Sequence, residues 1–161
     1  MKNSLVFQIA LSGLLTGVAI LLGFVGNFHV FGGNLNLIGI AIFIMPFFLK
    51  VQYSVISTAI AVVITDLLNG WIAFVWISLI AYVGAVLIIS LFRIIKLKII
   101  YFVLIASASL FIIATYYFLE MNAIDKSFAL KDLVATSIEV GVATSVALIV
   151  YLPMRIVSKV V

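Results

Sequence analysis

The chain has 161 residues, no cysteine, one histidine and only 9% charged residues. Without cysteine there is no disulfide framework, no thiolate metal site and no thiol nucleophile. A single histidine, His29, excludes H-E-x-x-H and other paired-histidine metal motifs. No glycine is followed by lysine, so the chain lacks a Walker-type phosphate loop and is not expected to hydrolyse ATP itself. The G-x-S-x-G pattern of serine hydrolases is absent as well. No motif predicts an enzyme, a cofactor or a metal.

What is present is apolar. Hydrophobic residues make up 67% of the chain, with a mean hydropathy of +1.47. Soluble domains carry roughly half apolar and a quarter charged residues, and their surfaces need more polarity than this chain can supply. The composition predicts an all-α integral membrane protein in one domain, residues 1–161, with the lipid bilayer as its solvent. In a soluble protein the net charge of +4 would suggest a nucleic-acid partner; here the basic residues serve topology, and none is expected. The apolar stretch after Met1-Lys2 has no A-x-A-like site behind it and reads as an uncleaved first helix.

A transmembrane helix takes about 20 apolar residues, which leaves room for about six. The uncharged run from Asn3 to Leu49 breaks at NFHVFGGNLN (27–36), giving helices over 4–26 and 35–49. Lys50 and Gln52 mark a turn, and a third helix runs to the Asn69-Gly70 turn dipeptide. A fourth helix covers 73–92, the basic cluster RIIKLK follows at 93–98, and a fifth covers 99–119. The polar segment 120–132 reads as a loop before a sixth helix that reaches Pro153 and Arg155. With both termini in the cytoplasm, seven of nine basic residues lie inside: Lys2, Lys50, Arg93, Lys96, Lys98, Arg155 and Lys159. Lys126 and Lys131 lie outside, and all five acids fall at or near the external ends. This bias favours six spans.

An acid at the bilayer centre costs roughly 2.5–3.5 kcal/mol, so Asp66 and Glu139 stand out. Both are expected to face a wet cavity that opens outward, with Glu139 against the bound solute. Asp132, Thr136, Glu139 and Ala143 share one helical face and form a polar strip. Other candidate binding groups at the external end are Asn27, His29, Asn34 and Asn36 in the first loop, then Asn69, Trp71, Trp76 and Ser78. Tyr116 and Glu120, four residues apart, share a face of the fifth helix. Aromatic faces with a few placed hydrogen-bonding groups suit a small solute, although tryptophan and tyrosine also gather at membrane interfaces. Ala10, Gly13 and Gly17 form a small-residue stripe on the first helix, and Ser137, Gly141 and Ser145 form another on the sixth. Small residues permit close helix contact, and at least one stripe is expected to pack inside the bundle.

In these features the chain resembles the substrate-binding S components of energy-coupling factor (ECF) vitamin transporters. The likeness lies in length, six spans, Gly13-LLT-Gly17 in the first helix, a glycine- and asparagine-bearing first external loop, and Asp66-Leu67-Leu68-Asn69-Gly70-Trp71. The family often has a lysine about where Tyr82 stands and a proline near Trp76, and this chain departs from both. The resemblance implies a multi-pass protein of a bacterial plasma membrane that captures a water-soluble vitamin under the 27–36 loop. Its first helix, through Ala10, Gly13 and Gly17, would dock on a transmembrane coupling protein driven by two cytoplasmic ATPases. Within the family the pocket looks closest to the pyridoxine or hydroxymethylpyrimidine type. The competing class is a small homo-oligomeric channel with its acids in a ring.

Overall fold

The structure is a computed structural model that describes residues 5–30, 33–91 and 98–160; side chains 29, 30, 33, 34, 98, 99 and 151–160 are not described. Of the basic residues used above for topology, Lys2, Arg93 and Lys96 lie outside the described residues, as do the side chains of Lys98, Arg155 and Lys159.

The elements run α1 (Leu5–Val25), β1 (Phe28–Val30), β2 (Gly33–Leu35), α2 (Ile38–Phe48), α3 (Val51–Leu68), a 3-10 turn (Ile72–Phe74), α4 (Val75–Ser90), α5 (Lys98–Ala123) and α6 (Lys126–Val160). Among the described residues, five helical segments are long and apolar enough to cross a membrane, each with exposed aliphatic and aromatic side chains suited to lipid. The sixth helix, α2, has only 11 residues. It lies inside, against α1, α3, α4 and α6, with Ile38, Ile42, Phe43 and Met45 at most 2% exposed. Neighbouring helices, rather than lipid, surround this short apolar segment.

Three of the breaks between helices have a local cause among the described residues. The side-chain oxygen of Asn36 accepts the Ile38 N–H at 3.0 Å, satisfying a donor at the start of α2. At the other end of α2, Gln8 of α1 spans the turn, accepting the Lys50 N–H at 2.9 Å and donating to the Phe48 carbonyl at 3.4 Å. α3 stops at Asn69-Gly70, where Gly70 takes φ +77°, a conformation that disfavours any Cβ. The chain then folds back so that the Trp71 N–H reaches the Asp66 carbonyl at 2.8 Å.

Two expectations change. The segment expected as a loop over 27–36 forms an antiparallel hairpin in which Phe28 pairs with Leu35 and His29 with Asn34. The polar segment 120–132 is almost wholly helical, the last turn of α5 and the first turns of α6. Its polarity concealed the helices because one side chain supplies the break: Asp125 accepts the N–H of Ser127 at 3.0 Å and also its hydroxyl, acting as the cap of α6. Those bonds hold the exposed Asp125 carboxyl below its usual range.

The small-residue stripes also behave differently from expectation, since neither packs inside. Ala10, Gly13, Ser137, Gly141 and Ser145 are exposed and Gly17 is half-exposed. A Cβ added at Gly13, Gly17 or Gly141 would meet nothing within 4 Å. Close approaches lie elsewhere, at Gly23 against Thr65, at Gly84 against Phe111 and at Gly39 of α2. A Cβ at Gly39 would sit 3.1 Å from that of Ala143, with Tyr82 and Glu139 at 3.8 and 3.9 Å.

Candidate functional site

A cavity, partly open to solvent, lies at the end of the bundle that carries the hairpin, the Asn69–Phe74 turn and the α5–α6 junction. α6 supplies one wall through Asp132, Thr136 and Glu139, which recur at helical spacing. α4 supplies Ser78 and Tyr82, and α5 supplies Tyr116 and Glu120, each pair four residues apart. Trp71, Phe74 and Phe128 are the aromatic contributions from the turn and the start of α6, and Asn36 closes the wall below the hairpin.

Hydrogen bonds tie these walls together. Glu139 accepts the Tyr82 hydroxyl on Oε1 and the backbone N–H of Asn36 on Oε2, the latter at 3.1 Å. One carboxyl thus joins α6, α4 and the strand leading to α2. The hydroxyls of Ser78 and Tyr116 share a 2.7 Å hydrogen bond, which links α4 to α5. The rings of Tyr82 and Tyr116 meet edge-on, their centroids 6.3 Å apart. Thr136 donates to Asp132 Oδ2 at 3.1 Å. Glu120 is 1% exposed, and neither carboxyl oxygen receives a hydrogen bond from an N–H or O–H of the protein. Its carboxyl lies against that of Asp132.

Comparisons with protein-family models, with curated proteins and with solved structures find no match. The site therefore stands on its own geometry.

Of the residues singled out from sequence, Asn36, Trp71, Ser78, Tyr116, Glu120, Thr136 and Glu139 converge on the cavity. Asp66 does not line it; the residue is buried behind Ser78, whose hydroxyl its carboxyl engages, and Oδ2 has no hydrogen-bond partner. Asn69 lies in the turn, where its amide donates to the Gly23 carbonyl at 3.3 Å and ties the turn to α1. Asn27 is half-buried at the end of α1, and Trp76 is 44% exposed on the outer surface, placing neither on the cavity wall. The side chains of His29 and Asn34 fall outside those described.

Four lining residues were not among the sequence candidates: Phe74, Tyr82, Phe128 and Asp132. Phenylalanine carries no signal in so apolar a chain. Tyr82 had one, because it stands four residues after Ser78, just as Glu120 stands four after Tyr116. Asp132 was visible on the polar strip but assigned to the loop end.

Proposed function

We propose that this chain is the substrate-binding membrane subunit of an ATP-driven ECF-type importer. It would capture a water-soluble vitamin or precursor, of the pyridoxine or hydroxymethylpyrimidine type, from outside a bacterial cell. The observation that carries this reading is the cavity itself: aromatic faces and carboxyl, hydroxyl and amide groups converge at one end of an apolar bundle. A transporter built this way needs an energy source from elsewhere, and the sequence supplies no phosphate loop. The exposed stripe Ala10, Gly13 and Gly17 supports a second requirement, a face open to a transmembrane coupling protein with two cytoplasmic ATPases. In this reading both termini are cytoplasmic and the hairpin end faces outward.

The test has two arms. Water-soluble vitamins and their precursors are screened by thermal shift against the purified protein, and hits are followed by titration. Uptake is then measured in cells with and without an ECF module. Tight binding alone, with uptake only when the module is present, is the expected pattern. Ion flux through liposomes holding this chain alone would favour a channel instead. Gly17→Leu should preserve affinity and abolish both uptake and co-purification with the module. Loss of affinity in that variant would place the stripe inside the bundle.

A further inference from the structure

The acids on the cavity wall, Glu120, Asp132 and Glu139, face no lysine, arginine or histidine among the lining residues. The nearby bases Lys126 and Lys131 are exposed and line no part of it. The three acids are not equivalent. Glu139 already accepts from Tyr82 and Asn36, and Asp132 accepts from Thr136. Glu120 is buried with both oxygens lacking a donor, on the cavity wall and beside a second carboxyl. An ionised carboxyl in this position is strongly unfavourable until something supplies a positive charge, a donor or a proton.

The rest of the wall indicates which kind of donor fits. No group of three metal-ligating side chains occurs among the described residues, so a bare metal ion would lack ligands. Aromatic rings surround the acids instead: Trp71, Phe74 and Phe128 line the cavity, with the two phenylalanine rings 5.7 Å apart and tilted by 36°. Aromatic faces attract cations and stack on flat rings. We propose that the site selects a positively charged solute, a small aromatic ring bearing a protonated amine, with the ammonium held by Glu120 and Asp132. The ring then rests against Trp71, Phe74 and Phe128. This inference rests on reading the cavity as a solute-binding site, and it moves the expected solute from the hydroxymethyl ring named above to its aminomethyl counterpart. A neutral solute would leave Glu120 and Asp132 to share a proton of their own.

The experiment uses the full chain, purified in detergent, and matched triplets of substituted pyridines and pyrimidines. The members of a triplet differ at one position only: aminomethyl, hydroxymethyl or carboxylate. A charge-assisted hydrogen bond contributes about 1.5–3 kcal/mol, so calorimetric titration should show the amine binding roughly 10- to 100-fold more tightly than the alcohol. The carboxylate should not bind. In Glu120→Gln the preference for the amine should collapse to within about threefold, and Asp132→Asn provides the same reading if the first variant does not fold. Stronger binding of the alcohol or carboxylate, or an amine preference unchanged in both variants, overturns the charge assignment while leaving a solute site in place. If no member of any triplet binds or raises the melting temperature, the solute-binding reading fails along with it.

Discussion

The two halves of this bundle bury different chemistry in the same apolar frame. The half near the hairpin holds four buried acids, Asp66, Glu120, Asp132 and Glu139. The opposite half, around Phe43, Met45, Leu49, Ile89 and Ile105, is dry and closed, with each of these side chains fully buried. Its buried polar groups are the Gln8 amide and several hydroxyls. Ser109, for example, donates to the Ile105 carbonyl at 2.8 Å and lies 2.6 Å from the Thr144 hydroxyl. Among the described residues no carboxyl or basic side chain is buried there. The closed half therefore supplies rigidity, and the hairpin half spends part of that stability on unsatisfied charge.

This division can be broken from either side. The largest effect should come from Ile105→Ala in the closed half, where truncating a buried aliphatic residue costs about 2–5 kcal/mol. Ile105 lies 15 residues before Glu120 on α5, roughly 22 Å away along the helix. Thermal denaturation should show the loss, and titration of the folded variant should return an unchanged dissociation constant for the tightest-binding solute. If affinity falls in step with stability, the halves are not separable.

Next in size is Glu139→Gln, which should weaken binding by roughly ten- to a hundredfold. Because Tyr82 and Asn36 already donate to Glu139, the same variant should also lose stability. That stability loss was not foreseeable from sequence, where Glu139 had no visible donor and a ligand was expected to fill the role. Titration and melting curves of Glu139→Gln and Tyr82→Phe would separate the two contributions. Full affinity in Glu139→Gln would remove this residue from the solute's contacts.

Asp66→Asn should act in the reverse proportion, lowering stability by about 1 kcal/mol through its contact with Ser78 while changing affinity by less than about threefold. A tenfold affinity loss there would mean that the Asp66–Ser78–Tyr116 chain positions the solute. The smallest effect should be that of Asp125→Ala at the exposed cap of α6, a slight fall in melting temperature. The carboxyl of Asp125 is held below the ordinary aspartate value of 3.8 in the folded protein by the Ser127 hydroxyl and N–H. Its contribution is therefore complete above pH 3.8 and lost as pH falls through the lower folded value. Melting curves of the two proteins should converge at strongly acidic pH.

The sequence made the polar half legible because acids are conspicuous in an apolar chain. The strip Asp132, Thr136 and Glu139 could be read from helical spacing, and the pair Tyr116 and Glu120 likewise. The partners of these groups were less legible, because they come from distant parts of the chain. Tyr82 is 57 residues from Glu139, and the Asn36 N–H is 103 residues away. Spacing along a helix determines which residues share a face, but not which foreign face meets it. The exposed stripes illustrate the same limit: glycine spacing permits a close approach, yet the tight contacts formed at Gly23, Gly39 and Gly84.

The shortness of α2 gives the cavity its space. Eleven residues rise roughly 16 Å, against a hydrocarbon thickness of about 30 Å. A full-length helix at the centre of this bundle would occupy the volume between α4, α5 and α6 with its own side chains. Because α2 begins only at Ile38, after the hairpin, its side chains do not extend to the end of the bundle where the cavity lies. Extending α2 toward the hairpin by a few apolar residues would fill the site from within and displace Asn36 from its wall.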